Sequence, residues 1–523
     1  MKKVFYGFAL ASLLTAGTAE ADVVVAARTG NDGYVFASTP KGDAAATISV
    51  RSAQDGSTYD LSYLVGSKTP SEGRWLPEGD YQIVKWNGLD FGAYAPFHVE
   101  SGKVTNLGSL VPVDVGEDKF VVLPLKLRED EDALSLVLRA LQPSLSSSEV
   151  IAWSPSGVPS PLKYPDPPHP SSPNLGALAN LILDYVAKVN RPSLQQQLLK
   201  SPDAATLFAI AKSASPPLTH IGVVDEQGNL YYGADYGQVR VRDPHGSWGA
   251  LDTGALQTVT ALTRRDGSLI AGFEDGTIRR SNDNGTSWQL VASLDCADTV
   301  VDISWSGNRW LATTAGVYLD SNKLARVNRF CVYASSDDDI TKLTKIKVVD
   351  PASNLLLAPV HAQVVSGGYY INMSPDLMRL DFATMSWSRV SLSGPVEGFA
   401  VSKDGKVVSA YHPAGMFSKL YVSDDMGATW KEYKRPPYII QDVQFLSSGD
   451  GFAVRKKLKF ATAALELYKF NSARSDWTFD QELPDECSSL LDDAEKVPRF
   501  CITRSGSIIA LGDGKLDVEF VRN

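Results

Sequence analysis

The chain has 523 residues, of which 44% are hydrophobic and 21% are charged. This composition excludes a globally disordered protein, which would be poorer in apolar residues. The length exceeds what one ordinary hydrophobic core supports, so we expect two or three domains. The formal net charge of −10 disfavours nucleic acid and anionic membrane surfaces as partners, and we expect neither.

The first 21 residues have the pattern of a signal peptide. Lys2 and Lys3 precede a mostly apolar run at residues 4–14, and residues 19–21 read Ala-Glu-Ala, a cleavage site with two small residues. We predict removal of residues 1–21 and export to the periplasm or the extracellular space, which leaves a net charge of −11. The apolar run is too short to span a bilayer and no later run reaches that length, although a retained anchor stays open as the alternative.

Residues 22–127 are predicted to form a small β-sandwich that acts as an accessory domain. β-rich runs at residues 23–25, 47–50 and 81–84 alternate with turns containing Gly, Asp and Pro. The stretches Leu-Pro-Glu-Gly-Asp-Tyr at 76–81 and Phe-His-Val-Glu-Ser-Gly-Lys-Val at 97–104 are similar to prealbumin-like modules related to carboxypeptidase regulatory domains. That resemblance implies a spacer or a binding accessory.

Residues 128–215 are predicted to be a helical insert with a Pro-rich linker. The acidic residues at 130–132 favour the first turn of a helix that runs to Leu141. Residues 155–173 have the composition of an extended Pro-rich loop, and helical spacing of apolar residues resumes from Asn174. Ser201 and Pro202 then suggest an N-cap and a first helical position of a helix that ends near residue 212. The insert could pack on either neighbouring domain.

A repeated pattern occupies residues 216–523. Two stretches, at 281–288 and 423–430, read S-x-D-x-G-x-[ST]-W, and weaker versions end at Trp248, Trp387 and Trp477. Residues 307–312 and 505–510 supply the second-strand signal of two further units. About seven units of roughly 35–55 residues have the length of a four-stranded propeller blade, whose apolar faces only neighbouring blades can cover. We therefore predict a mainly β fold with one β-propeller, seven-bladed or alternatively six-bladed.

The two eight-residue stretches are predicted to be structural turns. Asp can accept hydrogen bonds from nearby backbone N–H groups, and Gly tolerates a positive φ. The closing Trp is large enough to pin the turn to the next strand. The residues assigned to this structural role are Ser281, Asp283, Gly285, Trp288, Ser423, Asp425, Gly427 and Trp430.

This pattern is the Asp-box, or BNR repeat, and residues 216–523 resemble the Asp-box propellers, which include sialidases, photosystem assembly factors and sortilin-type receptors. In these families the box lies away from the active face, so the resemblance implies a fold and no particular activity. A sialidase needs three arginines around a carboxylate, a Tyr nucleophile with a Glu partner and an Asp acid/base, and its usual R-I-P motif is absent from this sequence. We assign no catalytic residue. The arginines that could form such a clamp, or simply end strands in solvent, include Arg264, Arg265, Arg279 and Arg280.

The four cysteines are predicted to form disulfides, because an even number in an exported chain favours pairing. Sequence proximity favours Cys296 with Cys331 and Cys487 with Cys501, and free buried thiols are the alternative. Neither the cysteines nor the six histidines show metal-ligand spacing, so we expect no metal site and no cofactor. Residues 335–339, Ser-Ser-Asp-Asp-Asp, could hold Ca²⁺ or form a solvated loop.

Two functions from different classes follow. The first is an exported, non-catalytic propeller that binds a protein or glycan partner as a scaffold, assembly or recognition factor, and acts as a monomer. The alternative is a diverged exo-acting glycoside hydrolase of sialidase-like fold. The absent R-I-P motif and the lack of a recognisable nucleophile favour the first.

Overall fold

The structure is a computed structural model. It describes residues 28–520 except for 29, 40–46, 64–70, 87, 92–95, 117–118, 127, 148, 154–159, 164–192, 297, 320–324, 351–360, 366, 374–375, 395, 397, 413–418, 438, 459–462, 485–486, 494, 504–507 and 512–515. The predicted signal peptide, the β-rich run at 23–25, nearly all of the Pro-rich loop and the helical pattern after Asn174 lie outside the described residues.

The chain divides into two compact units, Met1–Pro112 with Val122–Leu162 and Val113–Val121 with Lys163–Asn523. Among the helices that the structure describes, none is both long and apolar enough to cross a membrane.

The N-terminal strands form a seven-stranded and a five-stranded sheet. In chain order they are β1 (Asp32–Ser38), β2 (Ile48–Ser52), β3 (Thr58–Asp60), β4 (Ser62–Tyr63), β5 (Ser71–Pro77), β6 (Gly79–Trp86), β7 (Leu89–Asp90), β8 (Phe97–Val99), β9 (Val104–Gly116), β10 (Lys119–Leu125), β11 (Val150–Ala152) and β12 (Leu162–Lys163). The seven-stranded sheet has the order β12-β10-β9-β1-β5-β4, with β11 also paired to β9, and β1 runs parallel to β9. The other sheet has the order β3-β2-β6-β7, with β8 also paired to β6.

The predicted acidic helix is confirmed as α1 (Arg128–Leu141), which a short 3₁₀ turn with a proline follows at residues 142–144. Val137 and Leu141 of α1 pack with Tyr34 and Phe36 of β1 and with Trp75 of β5 in one buried cluster. This helix therefore belongs to the core of the first unit.

The helices before the repeat are α2 (Ser193–Leu199) and α3 (Ala204–Ala214). The predicted cap at Ser201 is wrong, because the N-cap of α3 is Asp203, whose carboxylate accepts hydrogen bonds from the backbone N–H and the hydroxyl of Thr206. Pro202 accordingly lies before the helix. A carboxylate at this position also interacts favourably with the helix dipole, which a serine hydroxyl cannot do as strongly.

Seven four-stranded antiparallel sheets follow in the described part of the chain, each with its strands in sequence order. Sheet 1 is β13 (Pro217–Val224), β14 (Leu230–Ala234), β15 (Gln238–Arg242) and β16 (Trp248–Asp252). Sheet 2 is β17 (Val259–Arg265), β18 (Ser268–Phe273), β19 (Thr277–Ser281) and β20 (Gln289–Ser293). Sheet 3 is β21 (Thr299–Trp305), β22 (Trp310–Leu319), β23 (Ala325–Ala334) and β24 (Thr344–Val349), with a 3₁₀ turn at Ile340–Lys342.

The remaining sheets have the same order. Sheet 4 is β25 (His361–Val365), β26 (Gly368–Asn372), β27 (Leu377–Asp381) and β28 (Ser386–Arg389). Sheet 5 is β29 (Gly398–Val401), β30 (Val408–His412), β31 (Lys419–Ser423) and β32 (Lys431–Tyr433). Sheet 6 is β33 (Ile439–Phe445), β34 (Gly451–Leu458), β35 (Ala463–Asn471) and β36 (Asp476–Glu482). Sheet 7 is β37 (Cys487–Asp492), β38 (Pro498–Thr503), β39 (Ile508–Leu511) and β40 (Leu516–Phe520).

Each sheet packs its apolar faces on the sheets before and after it. Buried clusters join sheets 1 and 2, 2 and 3, 3 and 4, 4 and 5, 5 and 6, and 6 and 7. A further cluster joins the last sheet to the first, through Leu491 and Phe500 of sheet 7 and Leu230 and Tyr232 of sheet 1. The protein is thus mainly β, and the second unit has a β-propeller-like arrangement of sheets.

Burial falls from the inner to the outer strands of these sheets. All residues of β14 and β26 are buried, whereas most of β24 is exposed. A strand covered on both faces reads as a continuous apolar run, which explains Leu-Ile-Ala-Gly-Phe at residues 269–273. The pattern at residues 505–510 predicts a second strand, and this is wrong because residues 508–510 belong to β39, the third strand of sheet 7, and β38 is the second.

Helix α3 packs on sheet 1. The buried guanidinium of Arg240, on β15, donates from Nε to the carbonyl oxygen of Ser215 at 2.8 Å and from Nη2 to those of Ser213 and Lys212. A cation at the C-terminal end of a helix satisfies carbonyls that have no partner within the helix. The ring of Phe208 also meets that of Tyr236 edge-on at 5.3 Å.

Candidate functional site

Residues 281–288 form the turn between the third and fourth strands of sheet 2. The hydroxyl of Ser281 donates to Oδ1 of Asp283 and accepts from the backbone N–H of Gly285, both at 2.7 Å. The Asp283 carboxylate also accepts from the backbone and hydroxyl of Ser287, at 2.9 and 2.6 Å. The indole N–H of Trp288 donates to the carbonyl of Gly285 at 3.0 Å, so every polar group named in the motif has a partner inside the turn.

Residues 423–430 repeat the Ser, Asp and Gly hydrogen bonds of this turn at the same place in sheet 5, but the indole N–H of Trp430 lacks the bond that Trp288 makes. Ser423 bonds Asp425 and Gly427 at 2.7 Å each, and Thr429 bonds the Asp425 carboxylate at 2.8 and 2.6 Å. Hydrogen bonds from Ser287 and Thr429 lower the pKa of Asp283 and Asp425, each to about 2. Both carboxylates are therefore ionised and occupied as acceptors at neutral pH, which suits a structural turn.

The sequence predicts only that the closing Trp pins each turn to the next strand. In the structure, both turns also contact the preceding sheet. Gly285 has a φ of +89°, and a Cβ there would lie 2.3 Å from a methyl group of Leu251 in sheet 1. Gly427 has a φ of +81°, and a Cβ there would overlap the phenol of Tyr370 in sheet 4. Trp288 is half-buried in the cluster between sheets 1 and 2.

The structure contains both disulfides that sequence proximity favours. Cys296, in the connection from sheet 2 to sheet 3, is bonded to Cys331 on β23. Cys487 and Cys501 join the first two strands of sheet 7. The carboxylate of Asp298 lies with the first pair of sulfur atoms within 4.8 Å, but the Arg329 guanidinium holds it, at 2.6 Å from Nε.

The opposite end of the sheets carries a polar group of side chains that we call the inner rim, formed by Asp235, Thr258, Glu274 and Thr299. Thr258 donates from its hydroxyl to Oδ1 of Asp235 at 2.7 Å and from its backbone N–H to Oε1 of Glu274 at 3.0 Å. The Thr299 hydroxyl donates to the carbonyl of Glu274 at 3.3 Å. These bonds tie together the connections of sheets 1, 2 and 3 and leave Asp235 and Glu274 partly exposed.

Two acidic residues on first strands, Asp302 and Asp492, lie in buried surroundings that sequence patterns do not reveal. Tyr369 of sheet 4 donates to Oδ2 of Asp302 in sheet 3 at 2.7 Å, and the Tyr369 oxygen lies 2.7 Å from the Thr313 hydroxyl. Burial raises the pKa of Asp302 to about 7 despite these bonds. Asp492 of sheet 7 likewise has a pKa of about 7, because burial and then the nearby charge of Asp442 disfavour its ionised form. Asp302 and Asp492 can be identified only from the structure, because the strands around each of them come from distant parts of the chain.

Sheet 6 holds a buried ion-pair cluster at the same end as the inner rim. The Glu466 carboxylate forms ion pairs with Arg455, 2.7 Å from Nε, and with Lys457, 2.9 Å from Nζ, and it accepts a hydrogen bond from the Tyr468 hydroxyl at 3.2 Å. Burial alone would raise the pKa of Glu466, but the bond from Lys457 and the charge of Arg455 outweigh it and lower the pKa. Tyr468 itself packs between sheets 5 and 6.

The arginines that could form a carboxylate clamp contact different groups in the structure. Arg264 pairs with the buried Asp225 at 3.2 Å, and the Arg265 guanidinium stacks over the ring of Trp305 at 3.5 Å. Arg279 donates to the carbonyl of Thr253 at 2.8 Å. Arg264 is thus a buried inter-sheet contact and not a solvated strand end.

The acidic loop at residues 335–339 is an ordered turn. The Ser335 hydroxyl accepts from the backbone of Trp310 at 2.8 Å, and the Asp339 carboxylate caps the 3₁₀ turn at Thr341. Asp337 pairs with Lys342 at 2.9 Å. Two of the carboxylates that could have held Ca²⁺ therefore have protein partners.

The comparison with known proteins finds distant structural similarity only. No family model and no curated protein matches this chain. The extracellular domain of a candidate one-component system from B. thetaiotaomicron is 11% identical with a TM-score of 0.37, and the match covers 59% of this chain but 38% of that one. The WD40 β-propeller domain of Doa1 is 14% identical with a TM-score of 0.35, covering 57% of this chain and 92% of that domain. The β-propeller-like fold therefore rests on the sheet packing described above.

Proposed function

We propose that this protein is an exported, seven-bladed Asp-box β-propeller, preceded by a β-sandwich accessory domain, that binds a protein or glycan partner without catalysis. The packing of sheet 7 on sheet 1 carries the proposal, because it makes the sheets one continuous support for their connecting loops. Loops held on a rigid scaffold are suited to recognition. The two disulfides support the exported address.

The partner-binding end is the end with the inner rim. The opposite end carries the two box turns, whose carboxylates accept hydrogen bonds from residues of their own turn, whereas Asp235 and Glu274 accept theirs from Thr258 in the connection between sheets 1 and 2. Asp235 and Glu274 present carboxylate oxygens beside the Thr258 and Thr299 hydroxyls. Such a group offers mainly acceptors, so a partner with exposed donors fits best, such as sugar hydroxyls or a neutral-to-basic protein surface.

The test uses the full mature chain. Binding is measured on a glycan array and by quantitative pull-down from envelope and culture extracts, with the variant carrying both Asp235→Asn and Glu274→Gln beside wild type. We expect saturable binding of one partner and at least about a tenfold loss in the double variant. Asp381→Asn, in the turn between the third and fourth strands of sheet 4, is the matched control and should bind as wild type. Equal binding by all three proteins would contradict the placement at the rim.

A glycoside hydrolase is the second candidate, and one contact favours it. Tyr468 and Glu466 are hydrogen-bonded beside Arg455, the residue types that a sialidase-like site uses. The test is turnover of fluorogenic sialosides and other glycosides by the mature chain. Turnover that Tyr468→Phe abolishes, while the melting temperature stays unchanged, would establish the enzyme and overturn the binding proposal.

A further inference from the structure

We propose that this chain associates with a second copy of itself, through contact between the outer strand of sheet 3 in one molecule and the outer strand of sheet 6 in the other. We call β24 the basic edge and β36 the acidic edge. Each is the last strand in the order of its sheet, so in the part of the chain that the structure describes each has one side without a neighbouring strand in that sheet.

Both edges expose large apolar side chains. On the basic edge Val348 is 49% exposed and Ile346 is 37% exposed, and on the acidic edge Phe479 is 55% exposed. Outer strands normally carry polar residues on their solvent side, because exposed apolar edges invite pairing with other chains. These side chains therefore mark the two strands as contact surfaces.

The charges of the two edges are complementary. The basic edge carries Lys345 and Lys347, and the acidic edge carries Asp476, Asp480 and Glu482. In a chain with a net charge of −10, a local basic strand is an exception that an acidic surface would attract. The same molecule supplies both surfaces, so a second copy meets the requirement without another partner.

An antiparallel approach matches the side chains one to one. When Val348 lies opposite Phe479, Lys347 lies opposite Asp480 and Lys345 lies opposite Glu482, because strand positions run in opposite directions. This matching counts residue positions along the two strands, since bulges at Ile346 and Asp480 interrupt the regular alternation of side chains on both edges. Apolar and ionic contacts would thus form together.

The ion pairs that these residues make within one chain leave room for this contact. Lys345 contacts Asp295, Asp476 contacts Lys434 at 2.7 Å, and Asp480 contacts Lys469 at 2.8 Å. Lys434 and Lys469 are exposed, Lys345 is about one third exposed, and the Asp480 side chain is 23% exposed. Exposed pairs of this kind contribute little and rearrange readily. Bulges at Ile346 and Asp480 shorten any backbone pairing, so the side chains provide most of the contact.

The contact is heterologous, since it joins two different surfaces. Unless the rotation between molecules closes a ring, repetition of such a contact gives an open chain of molecules. We therefore replace the expectation of a monomer with concentration-dependent, salt-sensitive association.

The experiment is sedimentation velocity of the full mature chain over a wide range of protein concentration, at low and high salt. We expect the mean mass to rise with concentration and to fall with salt. Lys347→Glu and Asp480→Lys should each weaken association by about tenfold or more, because each places like charges together. The variant with both substitutions should recover association, since it restores the pair with reversed signs.

Lys431→Glu, on the outer strand of sheet 5, is the matched control and should associate as wild type. Melting temperatures check that each variant is folded. A wild-type protein that sediments as a monomer at every concentration would overturn the proposal. Association that neither single substitution weakens, or that the double variant does not recover, would overturn it as well.

Discussion

The phenol oxygen of Tyr369, on the second strand of sheet 4, lies 2.7 Å from Oδ2 of Asp302 on the first strand of sheet 3. Ser304 donates to the same carboxylate at 2.8 Å. Burial raises the pKa of Tyr369, so its hydroxyl stays protonated and acts as the donor. This hydrogen bond joins sheets 3 and 4, which otherwise pack mainly through apolar side chains.

Tyr369→Phe should therefore destabilise the protein. The variant keeps the ring but leaves Asp302 and Thr313 each without one hydrogen bond, which should cost about 1–3 kcal/mol. Chemical denaturation measures the free energy of unfolding, and Tyr421→Phe, which loses bonds to Ser393 near the surface, serves as the control. Equal losses in both variants would contradict a special role for the buried contact.

Stability should fall as the pH rises from about 4 to about 7. Burial raises the pKa of Glu72, Asp302 and Asp492 to about 7 in the folded protein. In that window the folded state holds protons that the unfolded state has released, so raising the pH favours unfolding. Each pKa unit of difference is worth at most about 1.4 kcal/mol, less where solvent reaches the group.

The measurement is the melting temperature as a function of pH, for wild type and for Asp302→Asn. The variant should show a flatter curve between pH 5 and 8, since it lacks one of the three titrating groups. Below about pH 4 the opposite effect sets in, because protonation of Asp283 and Asp425 breaks the bonds that lower their pKa to about 2. A wild-type melting temperature that rises steadily from pH 4 to pH 8 would refute this assignment.

Trp288→Ala and Trp430→Ala should lower stability and leave partner binding intact. A fully buried Trp costs about 3–5 kcal/mol on truncation, and these half-buried rings should cost about 2 kcal/mol. Thermal melts with Gln289→Ala as an exposed control give the comparison. A variant that melts like wild type and loses its partner would show that the box turns bind ligand.

Replacing both Cys487 and Cys501 by Ser should destabilise sheet 7. The bridge spans a sequence separation of 14 residues, and closing such a loop is worth about 3 kcal/mol in the chain-entropy model. Non-reducing peptide mapping of the native protein should recover the linked pair. Two thiols that alkylate in the native protein would refute the disulfide.

Local patterns predicted the local features of this fold well. The turn of residues 281–288 is specified by Asp283, Gly285 and neighbouring hydroxyls. All of these lie within eight positions, so the local sequence predicts the turn. Helix α1 could be predicted for the same reason, because acidic residues indicate its start and a proline follows its end. A cap was misplaced because Ser201, Pro202 and Asp203 all suit a helix start, and only the structure shows which oxygen meets Thr206.

Contacts between distant segments could not be predicted. Asp302 and Tyr369 are 67 residues apart, and neither sits in a motif. The second strand of sheet 7 begins at Pro498 and lacks the Asp-Gly signal that marks the corresponding hairpin in sheet 2, so the repeat pattern does not identify it. The inner rim has no sequence signal, because its four residues come from connections and a strand end of three different sheets.

The contact between the last sheet and the first governs when the second unit can fold. The hydroxyl of Tyr232 donates to the carbonyl of Asp492 at 2.8 Å, across 260 positions of the chain. During synthesis, one apolar face of sheet 1 stays uncovered until the C-terminal strands have been made. A chain of this kind pays a large loop-closure entropy before its last interface forms. Truncation near the C-terminus would therefore leave two sheets uncovered, those on either side of the gap.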